Sequence, residues 1–155
     1  MKVSTKGRYA VMAMVELALF SQSQPVSLSQ IARRLNISQS YLEQLFVKMR
    51  RSSLVRSTRG PGGGYVLGKR PTEIDMKTLL CSVGESVVPV DTDLGNGDLE
   101  SSGNENLASL GSQFLWKELE GSIDETLSRI SLADLCSSAE NSLRKAKYPD
   151  FQVDI

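Results

Sequence analysis

Apolar residues recur along the first seventy positions with the spacing of helices and then, briefly, with that of strands. From Lys6 onward, Val11, Val15, Ala18 and Leu19 follow the i, i+4, i+7, i+8 rule of a helix that buries one face, with Ser4 or Thr5 placed to cap it. Pro25 closes the connector that follows. Ser27 and Gln30 form an S-x-x-Q capping box ahead of Leu28, Ile31, Ala32 and Leu35, which predicts a second, shorter helix. After Asn36, Ile37 and Ser38, the pair Ser40 and Glu43 offers another capping box, and Leu42, Leu45, Phe46 and Met49 repeat i, i+3, i+4, i+7. Two amphipathic helices joined by so short a turn predict a helix-turn-helix.

The period then shortens. Leu54 to Arg59 and Tyr65 to Gly68 are β-prone stretches on either side of Gly60-Pro61-Gly62-Gly63-Gly64, the signature of a hairpin with Arg59 at its tip. A hairpin directly after the third helix is a wing. Pro71, Thr72 and Asp75 open a fourth helix, reaching about Val83 and expected to pack on the first. Residues 91–112 hold almost no apolar side chains and predict an acidic flexible loop. From Gln113 a long helix is expected, with Leu115, Leu119, Ile123, Thr126, Leu127 and Ile130 in one stripe and Trp116 beside it. That stripe needs cover, either from the same helix of a second copy or from the chain's own winged domain. Ser131 and Asp134 cap a short last helix to about Lys147, before Pro149 and a tail. The predicted fold class is mostly α with a small β-wing: a winged helix-turn-helix domain over 1–87, a loop over 88–112, a dimerisation helix and short terminal helix over 113–147, and a tail over 148–155.

Charge sharpens this division. Residues 1–70 carry twelve Lys and Arg against Glu16 and Glu43 alone, a net +10, while residues 71–155 carry six bases and sixteen acids, a net −10. The basic part coincides with the helix-turn-helix, as expected of a module that binds a polyanion. On the third helix, Ser38, Gln39, Ser40, Tyr41, Glu43 and Gln44 have the donors and acceptors that read base edges, Gln bidentately on adenine and Glu on the cytosine amino group. Glu43 serves equally well as the capping partner of Ser40. Lys6, Arg8, Arg33, Lys48, Arg50 and Arg51 are candidate phosphate contacts, and Arg59 suits a narrow minor groove, where negative potential is enhanced.

Other chemistries lack their parts. The chain has no histidine, which removes histidine-based acid-base and metal chemistry. No nucleophile-base pair or paired carboxylates can be assigned in a structured segment, so an enzyme is not expected. The wing glycines are not followed by the Lys-Ser/Thr of a P-loop, and Asp91 to Ser102 lacks the terminal Glu of a calcium loop. Cys81 and Cys136 lie far apart among apolar neighbours and are expected to be small buried residues, which fits a reducing cytoplasm. The apolar run after Arg8 is interrupted by Glu16 and is far short of a membrane span.

Three ordered motifs carry a family resemblance: Ser4-Thr5-Lys6-Gly7-Arg8-Tyr9-Ala10, Ser38-x-Ser40-Tyr41-Leu42-Glu43-Gln44-Leu45-Phe46, and Arg59-Gly60-Pro61-Gly62-Gly63-Gly64-Tyr65. Together they resemble the IscR-type family of bacterial winged-helix transcription regulators, densely over residues 2–87 and more loosely over Phe114 to Leu135. The resemblance implies a homodimer on a pseudo-palindromic operator of double-stranded DNA, with the third helix in the major groove and the wing, including Gly62, in the minor groove. Many members hold a 2Fe-2S cluster through three closely spaced cysteines and a histidine or carboxylate. Here Val90 to Gln113 contains neither Cys nor His. No cofactor is therefore expected, and a cluster would need atypical ligands around Cys81 or Cys136. Members without a cluster sense through a partner protein or a small effector, so a regulatory partner protein fits the resemblance as well.

Overall fold

The computed structural model describes residues 4–22, 24–86 and 107–147. Helix α1 spans Thr5–Phe20, α2 Leu28–Leu35 and α3 Gln39–Arg51, followed by strands β1 (Val55–Thr58) and β2 (Gly64–Leu67). A 3₁₀ turn at Pro71–Glu73 leads to α4 (Met76–Ser82), and α5 (Leu107–Arg129) and α6 (Leu132–Lys147) complete the described chain. The acidic stretch over 91–106 and the tail beyond Lys147 lie outside the described residues.

Local chemistry sets each boundary. Ser4 caps α1 by accepting from the Gly7 N–H, and Ser27 caps α2 in a complete box with Gln30. Asn36 ends α2 in the left-handed conformation at φ 53°, which its short polar side chain tolerates. The Ile37 N–H reaches back to the Ala32 carbonyl at 3.0 Å, making the turn tight. Ser38 then caps α3 through the Tyr41 N–H at 3.2 Å. This replaces the box expected from Ser40 and Glu43: the helix begins earlier, Ser40 lies within its first turn, and Glu43 accepts from the Gln39 amide at 3.1 Å.

The buried stripe of α1 also differs from the expected one. Ala10, Ala13, Met14, Leu17 and Ala18 enter the core, while Val11, Val15 and Leu19 are half-buried. The helix is apolar nearly all round from Ala10, so spacing alone did not select a face. Small Ala10 and Ala13 let α1 contact α2, α3 and α4 closely, and its other side carries Val11 and Val15 towards α6.

The core gathers Met14 and Leu17 of α1, Ile31 of α2, Leu42, Phe46 and Met49 of α3, Leu79 of α4, and Leu132 at the start of α6. Leu132 is fully buried, and its N–H donates to the Ile74 carbonyl at 2.8 Å while Met76 N–H donates to Ile130 at 3.0 Å. Thus the α5–α6 junction is sewn onto the start of α4. Lys77 and Asp124 add an exposed ion pair at 2.6 Å. Helix α5 begins at Leu107, inside the stretch expected to be loop, and α6 runs from Leu132 to Lys147, the end expected for the last helix. Ser131 and Asp134 form the expected cap: the Ser131 N–H donates to the carboxylate at 2.8 Å, and the Asp134 N–H to the hydroxyl at 3.2 Å.

Removing a fully enclosed leucine from this junction should cost about 2–5 kcal/mol, from lost transfer energy and the cavity left behind. Leu132→Ala is expected to lower the thermal midpoint accordingly. A change worth less than about 1 kcal/mol would mean that α6 does not close the core.

Candidate nucleic-acid interface

Helix α3 buries Leu42, Leu45, Phe46 and Met49 and turns the rest of its surface outward. Ser38, Gln39, Ser40, Glu43 and Gln44 are exposed at its N-terminal half, and Tyr41 is half-buried with its ring edge-on to Tyr9 at 6.0 Å. Arg50 and Arg51 are exposed in the last turn. Arg8 and Arg33 are exposed on α1 and α2. Among the described residues, Arg8, Arg33, Arg50, Arg51 and Arg59 make no ion pair, so their charges stay available to an anion.

The wing is an antiparallel pair in the register Val55↔Leu67, Arg56↔Val66, Ser57↔Tyr65 and Thr58↔Gly64. It is fixed to the helices twice. Tyr65 packs on Phe46 of α3 with ring centroids 4.8 Å apart, and Tyr65 exchanges both backbone hydrogen bonds with Val26, at 2.8 and 3.0 Å. That bridge brings Gly64 so close to Val26 that an added Cβ would sit 2.4 Å from its carbonyl oxygen, which only glycine avoids. Arg59 stands exposed at the tip, and Gly62 takes φ +75° with open space around it, a conformational requirement of the turn. The wing glycines Gly62 and Gly63 and the N-terminus of α2 line a shared cleft of about 610 Å³.

Several basic residues are engaged within the fold. Arg34, in this cleft, lies 3.7 Å over the Phe20 ring and 3.3 Å from the Glu16 carboxylate. Lys6 Nζ donates to the Gly84 carbonyl at 2.7 Å, and Lys48 Nζ donates to the Val83 carbonyl at 3.4 Å. Beside them Glu85, only 8% exposed, accepts from the Ser4 N–H at 2.9 Å and from the Ser4 hydroxyl. Nothing in the local spacing of Glu85 marks it in the sequence; the contact closes across 81 residues.

The expected dimerisation residues divide. Leu115, Trp116 and Leu119 are exposed, joined by Leu107, Leu110 and Phe114, which the expected stripe did not include. Ile123 is half-buried, and Leu127 and Ile130 pack against the core of their own chain.

The cysteines form no cluster site. Cys81 is exposed on α4, contrary to the burial expected from its apolar neighbours, because its position faces away from the helix's buried Leu79 and Leu80. Cys136 is half-buried on α6; burial foremost, and then Glu140, pushes its thiol up, which disfavours the thiolate a metal needs. Among the described residues no three His, Cys, Asp or Glu side chains converge as metal ligands. A 2Fe-2S cluster draws on cysteine thiolates or thiolates with histidine, and two separated cysteines in a chain without histidine do not fit it.

Helix-turn-helix, wing and exposed arginines together define a winged-helix DNA-binding regulator. Comparison with known proteins gives the particular lineage. The family model "Rrf2: Iron-dependent Transcriptional regulator" matches residues 3–138, and the chain belongs to the Rrf2 family. It is 45% identical to the HTH-type transcriptional regulator IscR of Vibrio vulnificus over 140 residues, covering 90% of this chain and 80% of that one. The IscR of Pectobacterium atrosepticum is 42% identical over 140 residues, covering 90% and 82%. Among solved structures, CymR, the global cysteine regulator of B. subtilis, superposes with a TM-score of 0.73 at 36% identity, covering 89% of this chain and 98% of that one. T. potens IscR gives 0.71 at 35% identity, with 92% and 90% covered. The expected family and fold class are thus borne out, and the relatives matched are transcriptional regulators, in keeping with the expectation that the protein is not an enzyme. Among the described residues no helix is long and apolar enough to cross a membrane.

The Ser4–Glu85 contact makes stability depend on acid. The Ser4 hydroxyl, then the Ser4 N–H, holds the Glu85 carboxyl below its usual range, with Lys6 assisting and burial opposing. The stabilisation is therefore complete above the unfolded value of about 4.3 and is lost as pH falls through the lower folded-state value. The gap in thermal midpoint between the wild type and Glu85→Gln should narrow from neutrality to roughly pH 3. A gap that stays constant over that range would show that the ionised carboxylate is not what the fold holds.

Proposed function

We propose that this regulator acts in the cytoplasm as a homodimer on a two-fold-symmetric DNA operator, without a resident 2Fe-2S cluster of the family type. Ser38, Gln39, Ser40, Tyr41, Glu43 and Gln44 read base edges in the major groove from the N-terminal half of α3. Arg59 enters the minor groove from the wing, with Gly62 shaping the turn, while Arg8, Arg33, Arg50 and Arg51 hold phosphates. The observation that carries this reading is that Arg50, Arg51 and Arg59 are exposed and make no ion pair among the described residues, around a helix whose exposed side chains are all hydrogen-bonding. Phosphate contacts then set affinity and its salt dependence, and the serine, glutamine and glutamate side chains set sequence choice.

Dimerisation rests on α5. Its first half leaves Phe114 68%, Leu115 51% and Trp116 38% exposed, an apolar load a solitary helix does not keep in water. The same chain presents an apolar groove of about 440 Å³, lined in part by Val11, Met12, Leu80, Leu127, Ile130 and Leu135. Two copies related by a two-fold axis can each lay this half-helix against the other's groove and helix. Burial would contribute about 1.5–3 kcal/mol for each large side chain enclosed. The same symmetry sets two α3 helices about one DNA turn apart, roughly 34 Å.

The donor set argues against the cluster: the chain's two cysteines sit in α4 and α6, one with a raised thiol, and it has no histidine. The signal then reaches the protein by another route, through a partner protein or small effector.

Two measurements test the reading. Duplexes selected from a random pool should be bound more tightly than scrambled ones, and Arg59→Ala should weaken the selected duplex by about tenfold while relaxing preference where the wing lies. Equal loss on both duplexes would reduce Arg59 to a phosphate clamp. Leu119→Asp should shift the protein to a monomer in sedimentation and abolish tight binding to a full two-fold site. A chain that stays monomeric as wild type, or dimeric as this variant, overturns the α5 interface.

A further inference from the structure

The end of α4 ties together three helices that the DNA-binding reading treats separately. Gly84 takes φ +75° and closes α4 in a Schellman turn, with Glu85 N–H on the Leu80 carbonyl at 3.0 Å and Gly84 N–H on the Cys81 carbonyl at 2.9 Å. This geometry leaves the carbonyls of Val83 and Gly84 facing outward. Lys48, from the last turn of α3, takes the first at 3.4 Å; Lys6, from the first turn of α1, takes the second at 2.7 Å. Lys6 also lies 3.9 Å from the Glu85 carboxylate, which in turn holds Ser4, the cap of α1.

We infer that Lys6 and Lys48 are positioning residues of the DNA-binding module, clamping α1 and α3 to the end of α4, and are not phosphate contacts. The inference rests on the DNA-binding reading and removes two of its candidate phosphate residues. A lysine ammonium is a compact charge on a flexible stem, and swinging it to a phosphate would strip these carbonyls of their donors. Arg50 and Arg51, two and three residues past Lys48, point elsewhere and make no ion pair or side-chain hydrogen bond among the described residues. They remain the phosphate contacts of this turn.

The mechanical consequence follows from how α3 is held. One side of the helix is fixed to the wing through Phe46 and Tyr65 and through the Leu54 N–H on the Met49 carbonyl at 3.0 Å. Lys48 fixes its end to α4. Base-edge hydrogen bonds need the helix held to a fraction of an ångström, whereas attraction to phosphates does not. Releasing the clamp should therefore cost selectivity and leave the counterion release unchanged.

The test measures dissociation constants over a range of salt for wild type, Lys48→Met, Lys6→Met and Arg50→Met, on a duplex selected by the wild type from a random pool and on its scrambled counterpart. Lys48→Met is expected to keep the wild-type slope of log affinity against log salt and to bind the selected duplex about fivefold more weakly, with little change on the scrambled one. Arg50→Met should lose about 0.9 from the slope and weaken both duplexes alike. A Lys48→Met slope reduced like that of Arg50→Met, or unchanged selectivity with an unchanged slope, overturns the clamp. Lys6→Met frees the same end of α4 from the α1 side and is judged by the same criteria, so an unfolded Lys48 variant does not shelter the inference. A wild type that fails to prefer its selected duplex sinks the DNA-binding reading itself, and the clamp with it.

Discussion

The arrangement of the DNA-binding surface depends on the packing of Phe46 against Tyr65. Phe46 is fully buried on α3, and Tyr65 belongs to β2, so one ring contact at 4.8 Å joins the helix that would read bases to the hairpin that would reach the next groove. A two-stranded hairpin is marginal on its own. This one is held because Tyr65 is also stitched to Val26 by a single bridge, which lays the segment before α2 against the free edge of β2. The close approach of Gly64 to that edge excludes any side chain there, so the glycine run is needed for packing as well as for turning. Helix, wing and the start of α2 are therefore packed into one unit, the kind of support that recognition of adjacent grooves would require.

Much of this was legible in the sequence because it is local. The Ser27–Gln30 box, the 3.6-residue stripe of α3 and the glycine-rich hairpin each need only neighbours within about ten residues to declare themselves. Other features failed for identifiable physical reasons. Helix α1 is apolar on nearly every side from Ala10 to Phe20, so periodicity did not single out Ala10, Ala13, Met14 and Leu17 as its core face. The cap of α3 is Ser38 and not Ser40, because after the left-handed turn at Asn36 the helix already begins at Gln39 and takes Ser40 into its first turn. Cys81 sits beside leucines in sequence but not in space, since residues one or two apart on a helix face different ways.

The candidate site shows the same limit more sharply. A list of exposed-looking bases cannot separate free charges from engaged ones. Arg34 is engaged with Phe20 and Glu16, and Lys6 and Lys48 with the end of α4, contacts that span 14 to 78 residues. The net +10 of the first seventy residues is real. Among the described residues the share of it left outside ion pairs is smaller and lies mainly in arginines, whose planar forks would suit phosphate better than a lysine point charge does.

The core also explains what keeps the winged module in its form. Among the described residues the core closes through Leu132, which joins Ile74 and the start of α4 directly to α6. Capping at Ser131 and Asp134 fixes that junction, and the Lys77–Asp124 pair adds to it from α5. The family resemblance places the cluster ligands within Val90 to Gln113, and none of the contacts just named uses a residue of that stretch. Whatever the regulator's input, α3 keeps the support of Phe46, Tyr65 and Leu132.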